Sequence, residues 1–592
     1  MRFSLSHLKL LAVNRYTFFL LFLLVYTWIA ELYGCLPALL PAWRLETPLL
    51  LYIYFYFNQI TRKSRFQFLI AAIPILLLYA ISDVYFLQLG RLLRINEVSE
   101  LPELFHIIPN GIKILIILVC GLPLLAFFLS LQWRRIRVLA LGGVPLLALG
   151  LAVAFIPDPF MRGFEKTQQE IVFYSDAKSA YNNGRISMML YNQARQNSSY
   201  EKTAAYRDKP PQLMEYSKVV HTISDQRTKR NVHLIVLESF MDPTLFQNAR
   251  FSQNPVHPDF EKLFKDKGGY SVSPVFGGAT AQAEFEVLCG VPAMRELSGI
   301  EFNVFTGAKT LCLPNILSQA GYQTVATNAF VPDFFNSVNA YEGLGFEQTY
   351  YPSEYAPVGE TYLVSNQMAE DAAKEEDKRE KYMFDGDLLA QNLAFVARRI
   401  KENPDAPIFN YIMSIYGHTP HQIDTDQRPK IIKVLGDYQD DHFEKSVNQY
   451  YYRTEAIAAY VKGLLKVDPK SLIILMSDHL PPLQRGPGTY DNFNYLGKQE
   501  GYLHTNRIYF IENGRSVQYN TIHHYDVPQI ILNYAMQGKI KRDRSGKFAT
   551  HKGLFDLNTY REAYFSIMAQ AMNVKTLAAP PAKAACPPDQ SL

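Results

Sequence analysis

The hydrophobic pattern of the chain changes character near residue 157. Before it, Leu, Ile, Phe, Ala, Val and Tyr dominate, and five stretches reach or approach the about 20 apolar residues that cross a bilayer core: 16–40, 48–60, 66–87, 108–131 and 138–156. The second is short and rich in Tyr and Phe, a composition shared with interfacial segments. Beyond the change, polar residues return at globular frequency and apolar runs become short. The pattern predicts a five-helix transmembrane domain over 1–157, a juxtamembrane connector over 158–230, a large α/β domain over 231–570 and a disordered tail over 571–592, Ala/Pro-rich from Leu577. Within the connector, 178–195 is expected to be a helix, either amphipathic at the membrane surface or a plain surface helix.

Flanking charge orients the spans. Arg2, Lys9 and Arg15 precede the first; Arg62, Lys63 and Arg65 lie between the second and third; Arg134, Arg135 and Arg137 lie between the fourth and fifth. These clusters occupy alternate loops, as five crossings with a cytoplasmic N-terminus require, and this places 231–570 outside the cytoplasm. A signal peptide does not account for the first run, which is too long and is followed by four more. Inside the spans the carboxylates are Glu31 and Asp83 alone, too few for a transporter's ion path, so anchoring is the expected role. The net charge of +4 gives no basic field for a nucleic-acid partner.

Candidate chemistry sits where apolar runs end. Asn231–Leu237 is a continuous apolar run closed by Glu238 and Ser239, and Lys470–Met476 is another, closed by Ser477, Asp478 and His479. Such runs predict buried parallel strands, whose C-terminal ends are where open α/β sheets bind ligands. Carboxylates with an imidazole form a donor set for a divalent metal. Between these runs, Phe276-Gly277-Gly278-Ala279-Thr280 predicts a tight turn and a helix starting near Thr280. There the hydroxyl is either an N-cap or, beside a metal, a nucleophile. A third run, Ala406–Ser414, leads to Tyr416-Gly417-His418-Thr419-Pro420-His421; its histidines suit phosphate binding or proton transfer, and a structural role competes for His421. Near 521–528, His523 or His524 could reach the site and Asp526 could cap a following helix. Of five cysteines, Cys289 and Cys312 share the soluble part, as a disulfide or as two buried thiols.

The order strand–Glu238, Gly-Gly-Ala-Thr280 before a helix, Gly-His418-Thr-Pro and strand–Ser-Asp478-His479 resembles the sulfatase-like branch of the alkaline phosphatase superfamily. More narrowly it resembles the membrane-anchored phosphoglycerol transferases, among them lipoteichoic acid synthases and the enzyme that decorates periplasmic glucans. The resemblance implies a mainly parallel central sheet sandwiched by helices, carried outside a bacterial cytoplasmic (inner) membrane by a multi-pass anchor. It implies one divalent ion, typically Mn2+ with Mg2+ or Zn2+ as alternatives, on Glu238, Thr280, Asp478 and His479, with Thr280 as nucleophile. The donor would be phosphatidylglycerol, the acceptor an envelope glycan or lipid, and the intermediate a phosphothreonine. His418 matches a histidine at the substrate phosphate, and the contexts of Cys289 and Cys312 match a disulfide. The sequence departs from lipoteichoic acid synthases at Asn328, Phe335 and Ser337, which stand for a His, a Trp and an Arg; losing the guanidinium removes a bidentate phosphate clamp. Asn328 and His421 remain substrate-binding candidates. The alternatives are a phosphoethanolamine transferase, a sulfatase-like phosphodiesterase and a non-catalytic binding protein. The stretches 351–381 and 427–443 are expected to set specificity.

Overall fold

The computed structural model describes the chain from 14 to 573, apart from positions 38, 40–41, 90–91, 96–109, 170, 172–175, 207–208, 212, 265–267, 333, 357–360, 365–379 and 539–555. Arg2, Lys9, most of the loop after the third span and nearly all of the expected tail lie outside the described residues.

The N-terminal region is helical: α1 (Arg15–Leu32), α2 (Glu46–Ile60), α3 (Gln67–Leu89) and α4 (Ile136–Phe155). Among the described residues, Arg15–Leu32, Gln67–Leu87 and Arg137–Phe155 are long and apolar enough to cross a membrane. The second expected span forms a helix of 15 residues. The fourth is interrupted: Asn110–Ile116 and Leu122–Leu129 are joined by a wider turn at Ile117–Gly121. Pro123 explains the interruption, since it has no N–H for the carbonyl one turn earlier. Leu141, Val144, Leu147, Leu151 and Phe155 of α4 all point outward, an arrangement that lipid, not water, favours. At one end of the bundle Arg62 N donates to Ser130 O at 2.8 Å and Gln132 N to Ile60 O at 2.8 Å, so the two basic loops lie side by side.

Helices α5 (Pro157–Thr167) and α6 (Arg185–Thr203) continue the chain, with a short helix, Asp176–Asn183, between them. The helix expected over 178–195 is broken at Gly184, whose φ is +90° and where a Cβ would lie 2.4 Å from the Glu46 side chain. Neither a continuous amphipathic helix nor a plain surface helix describes this segment: Arg185, Ser187, Met188, Tyr191 and Ala194 of α6 are buried.

The rest is built on a nine-stranded sheet. In chain order its strands are β1 (Val232–Leu237), β2 (Gly269–Val272), β3 (Gln323–Asn328), β4 (Gln348–Tyr350), β5 (Ile408–Met413), β6 (Leu472–Ser477), β7 (Thr505–Glu512), β8 (Arg515–Val517) and β9 (Ile522–His523). The spatial order is β9-β2-β7-β6-β1-β5-β3-β4, with β8 on β7. The run from β6 to β4 is parallel, and β7 is antiparallel to β6, β2 and β8. Both faces are covered, which is why the central strands read as unbroken apolar runs. Leu234 and Val236 pack with α7 (Thr280–Cys289), α10 (Val527–Ala535) and α11 (Leu557–Ala571). Ile235 and Leu237 face α8 (Asp385–Glu402) and α9 (Asp441–Val467) on the other side. This is the expected mainly parallel sheet sandwiched by helices.

Candidate active site

Because β1 and β6 are parallel neighbours with Leu237 opposite Ser477, their C-terminal ends coincide and Glu238 emerges beside Asp478. Hydroxyls and amides stitch the ends together. Ser239, at φ +49°, donates its N–H to Asp478 Oδ1 at 2.8 Å and its hydroxyl to Glu238 Oε1 at 2.8 Å. Phe240 N donates to Ser477 Oγ at 2.9 Å, and Glu238 N to Ser414 Oγ at 3.1 Å. His479 N donates to Asp478 Oδ1 at 2.6 Å. Each carboxylate therefore spends one oxygen on its own scaffold and keeps Glu238 Oε2 or Asp478 Oδ2 for what lies in front.

What lies in front is Thr280. Gly277, Gly278 and Ala279 all have positive φ, at +74°, +148° and +65°. This left-handed run is open to glycine and strained at Ala279. It delivers Thr280 as the first residue of α7. The N-cap reading of Thr280 is thus corrected: Ala279 holds the cap position, and the hydroxyl turns to the carboxylates. Thr280 Oγ1 lies 2.9 Å from Asp478 Oδ2, 3.1 Å from Glu238 Oε2 and 3.4 Å from His479 Nε2.

Glu238, Asp478 and His479 offer ligand atoms that all lie within 4.8 Å of one another, and all three side chains are buried. Among the described residues, the ion pairs of Glu238 and Asp478 run to His479 alone, at 3.8 and 3.2 Å. Burial, with the Glu238 carboxylate beside it, pushes the Asp478 carboxyl up to about 7. One hydroxyl proton cannot bond two carboxylates at once, so this donor set lacks positive charge. His479 Nδ1 lies 3.0 Å from Leu480 O; a proton there leaves the Nε2 lone pair facing the cluster, the tautomer a metal ligand requires. The residues fit a divalent ion.

The structure separates the remaining candidates. His418 stands close enough to His479 and Asp478 to feel their charge, and burial holds its pKa down near 4. Its Nδ1 lies 2.6 Å from Thr419 O, and its ring packs edge-on to Tyr382. His421 is 1% exposed, with its ring against His442 at 5.6 Å, a packing position behind the loop. Asn328 Nδ2 donates to the Tyr341 hydroxyl at 3.2 Å while its Oδ1 accepts from Phe330 N. Tyr341 and Tyr411 both donate to Glu284, one helical turn after Thr280 on α7. Asn328 thus enters a buried network beneath α7. Ser337 is buried and bonds Pro332 O and Tyr351, and Phe335 packs on the core, so neither replaces the missing guanidinium. His524 is buried within reach of the charges of His479 and His504, whereas the His523 ring stacks on Tyr525. Asp526 does not cap α10 with its side chain; its carboxylate accepts from His523 N at 2.7 Å.

Cys289 and Cys312 are joined in a disulfide. Two further residues support the end of β1, and only Gly417, in the Gly-His-Thr-Pro motif, had a sequence signal. Arg453 of α9 donates Nη2 to Glu238 O at 2.9 Å and Nε to Asp385 at 2.7 Å, deep in the core. At Gly417 a Cβ would lie 2.1 Å from Glu238 O, so that glycine is required by the turn at the end of β1. A buried Arg on a long amphipathic helix cannot be told from a surface one without knowing which face is covered.

The sulfatase family model matches residues 230–535. A Rhizobium meliloti (strain 1021) protein with the provisional description of a cyclic beta-1,2-glucan modification protein is 25% identical over 285 residues, 46% of this chain and 38% of its own. An uncharacterised Haemophilus influenzae protein is 26% identical over 227 residues, 36% of this chain and again 38% of its own. The chain thus spans well under half the length of these curated relatives. Among solved structures, the Streptococcus pyogenes phosphoglycerol transferase GacH in complex with sn-glycerol-1-phosphate aligns at 15% identity and a TM-score of 0.43, over 63% of this chain and 91% of that one. The Listeria monocytogenes lipoteichoic acid synthase LtaP aligns at 17% and 0.40, over 55% and 78%.

Proposed function

The chain belongs to the sulfatase family, and from that premise we propose that it is a membrane-anchored phosphotransferase moving phosphoglycerol from phosphatidylglycerol to an envelope glycan or lipid. The observation that carries the reading is the Thr280 hydroxyl, held at the start of α7 against two buried carboxylates and an imidazole. Sulfate-ester hydrolysis by formylglycine needs Cys or Ser at that position, and threonine cannot supply it.

A divalent ion, Mn2+ in this proposal with Mg2+ and Zn2+ as alternatives, would be held by Glu238, Asp478, His479 and the Thr280 oxygen, and would lower the hydroxyl pKa and offset phosphate charge. Asp478 Oδ2 lies in line to take the hydrogen of Thr280 Oγ1. The oxygen attacks phosphorus, the bond to diacylglycerol breaks, and diacylglycerol leaves with the proton that Asp478 took, while glycerophosphate is esterified to Thr280. The N-terminal amides of α7 would face that phosphate. In the second half the acceptor hydroxyl attacks the same phosphorus and the Thr280 ester breaks. Neutral His418, with its Nδ1 proton held by Thr419 O, would take the acceptor's proton on Nε2, and an equivalent proton passes back to the Thr280 oxygen to restore the hydroxyl.

The anchor reading extends to five crossings over 1–157, a connector over 158–230 and a catalytic part over 231–570 on the periplasmic or extracellular side of a bacterial inner membrane. The adjacent basic loops and the disulfide support that orientation.

The test is the purified full chain with Mn2+, labelled phosphatidylglycerol and a panel of glycan and lipid acceptors. Diacylglycerol release and a glycerophosphate adduct on Thr280, read by mass spectrometry, are expected. The absence of both with every donor, acceptor and metal would sink the proposal. An adduct from phosphatidylethanolamine alone would reassign the head group that Ser337 leaves unclamped, and release without an acceptor would make the enzyme a phosphodiesterase.

A further inference from the structure

Helix α6 is gripped at both ends by buried polar contacts that the chemistry above does not use. At its start, Arg185 is 2% exposed and reaches Asp83 of α3 through Nε and Nη2, and the carbonyls of Leu36 and Pro37 through its guanidinium. Glu46, the first residue of α2, accepts from the backbone N–H groups of Arg185, Ile186 and Ser187, from the Ser187 hydroxyl and from Tyr79. A carboxylate from one membrane helix thus caps α6, and a carboxylate from another holds its first side chain. Gly184 is what lets Glu46 approach so closely.

Farther along, α6 meets the sheet domain. Arg195 donates to Glu296 Oε1 at 2.9 Å, Ser199 to Glu296 Oε2 at 3.0 Å, and Gln196 to Leu297 O at 2.7 Å. Arg561 of α11 closes on the same Glu296 with two bonds of 2.9 Å. Arg94, in the loop after α3, donates to Arg295 O at 3.3 Å. Glu296 therefore sits between two guanidinium groups, one from the connector and one from the domain. The loop that carries it leaves α7 at Cys289 and is tied back by Cys312. Helix α7 begins at Thr280. Polar contacts thus run from Asp83 and Glu46 through α6 to Glu296, whose loop leads back along the chain and through the disulfide to α7.

We infer that α6 is a positioning strut, with Arg185 and Glu296 as its two locks, that holds the Thr280 centre at a fixed height and orientation over the membrane helices so that it draws its donor from the bilayer surface. The inference rests on the lipid-donor reading above. Its logic is that of proximity: a lipid confined to a surface reacts only with a site held within reach of that surface, whereas a dissolved molecule meets the site in any orientation. The locks would then govern turnover of bilayer donor and leave the chemistry at Thr280 untouched.

The experiment compares two donors with the full-length protein in vesicles: long-chain phosphatidylglycerol in the vesicle, and dihexanoyl phosphatidylglycerol dissolved as monomer. Glu296→Ala and Arg185→Ala are expected to lower kcat/KM for the bilayer donor by roughly tenfold or more and to keep that for the monomeric donor within roughly twofold. Equal losses on both donors, or no loss on either, overturn the strut. Arg195→Ala, at the half-exposed edge of the second lock, repeats the comparison should Arg185→Ala fail to accumulate. Spin labels at positions 166 and 466 give a readout independent of turnover. Their distance distribution should be narrow in the parent protein and broad in Glu296→Ala, and an unchanged width overturns the inference. A parent protein inactive on both donors but narrow in distance would instead refute the lipid-donor reading alone.

Discussion

Among the buried carboxylates of the described residues, two pairs are treated oppositely. Glu46 and Asp83, among the membrane helices, are met by the protein itself: Arg185 pairs with Asp83, and Glu46 receives three backbone amides and two hydroxyls. Glu238 and Asp478, at the ends of β1 and β6, receive amides and hydroxyls on their outer oxygens, and a histidine and a threonine on the inner ones. A structural charge is neutralised within the fold, because an unpaired buried charge is costly. At Glu238 and Asp478 the ion pairs among the described residues run to His479 alone, and in the proposed function a bound cation would supply the remaining charge. On that proposal, the difference separates carboxylates that hold the molecule together from those that act.

The comparison can be broken in several places. The largest effect belongs to Thr280→Ala, which should lower turnover by at least about a thousandfold with unchanged unfolding behaviour. Asp478→Ala should reduce bound metal, measured by elemental analysis; full occupancy would detach Asp478 from the centre. Next come substitutions of opposite sign. Arg185→Ala strands Asp83 and should cost about 3–5 kcal/mol in denaturant unfolding. Asp478→Asn in chelator-treated protein removes one of two buried carboxylates that share His479 as their ion-pair partner and should stabilise by about 1–3 kcal/mol. If both destabilise, the distinction between the pairs is wrong. Replacing Cys289 and Cys312 together by Ser frees the 23-residue separation they close and should cost about 2–4 kcal/mol. The smallest effect is on pH dependence. Burial first, then the charges of Asp478 and Glu238, raise the Glu284 carboxyl to about 7. A raised carboxyl holds its proton longer in the folded state, so its stabilising contribution is complete below the unfolded value of about 4.3 and is lost as pH rises toward about 7. Glu284→Gln should flatten that slope by roughly 1–3 kcal/mol between those limits; an unchanged slope would mean the proton sits elsewhere.

Much of the scaffold was legible in the residues. The runs ending at Glu238, Ser414 and Ser477 read as buried parallel strands and are β1, β5 and β6, because strands covered on both faces leave unbroken apolar stretches. The helix expected near Thr280 starts there, since two glycines announce the turn. Other readings failed for lack of a partner. Thr280 looked like a helix cap as much as a nucleophile until Glu238 and Asp478 stood in front of it. The segment 178–195 looked amphipathic because its buried face meets membrane helices and Glu296, which one-dimensional periodicity cannot identify. Glu46 fell between expected spans and drew no notice, although it caps α6.

The sequence by itself determined where the chain turns apolar, which strands end in chemistry-bearing side chains, and that a hydroxyl follows a glycine turn. These are properties of short windows, set by solvation and backbone sterics. Only the tertiary structure decided that Glu238, Thr280, Asp478 and His479 meet, that His421 is packed away from them, and that Arg185 secures the connector instead of facing lipid headgroups. Those outcomes depend on strand register and on which faces are covered, and both arise from contacts between residues from tens to hundreds of positions apart.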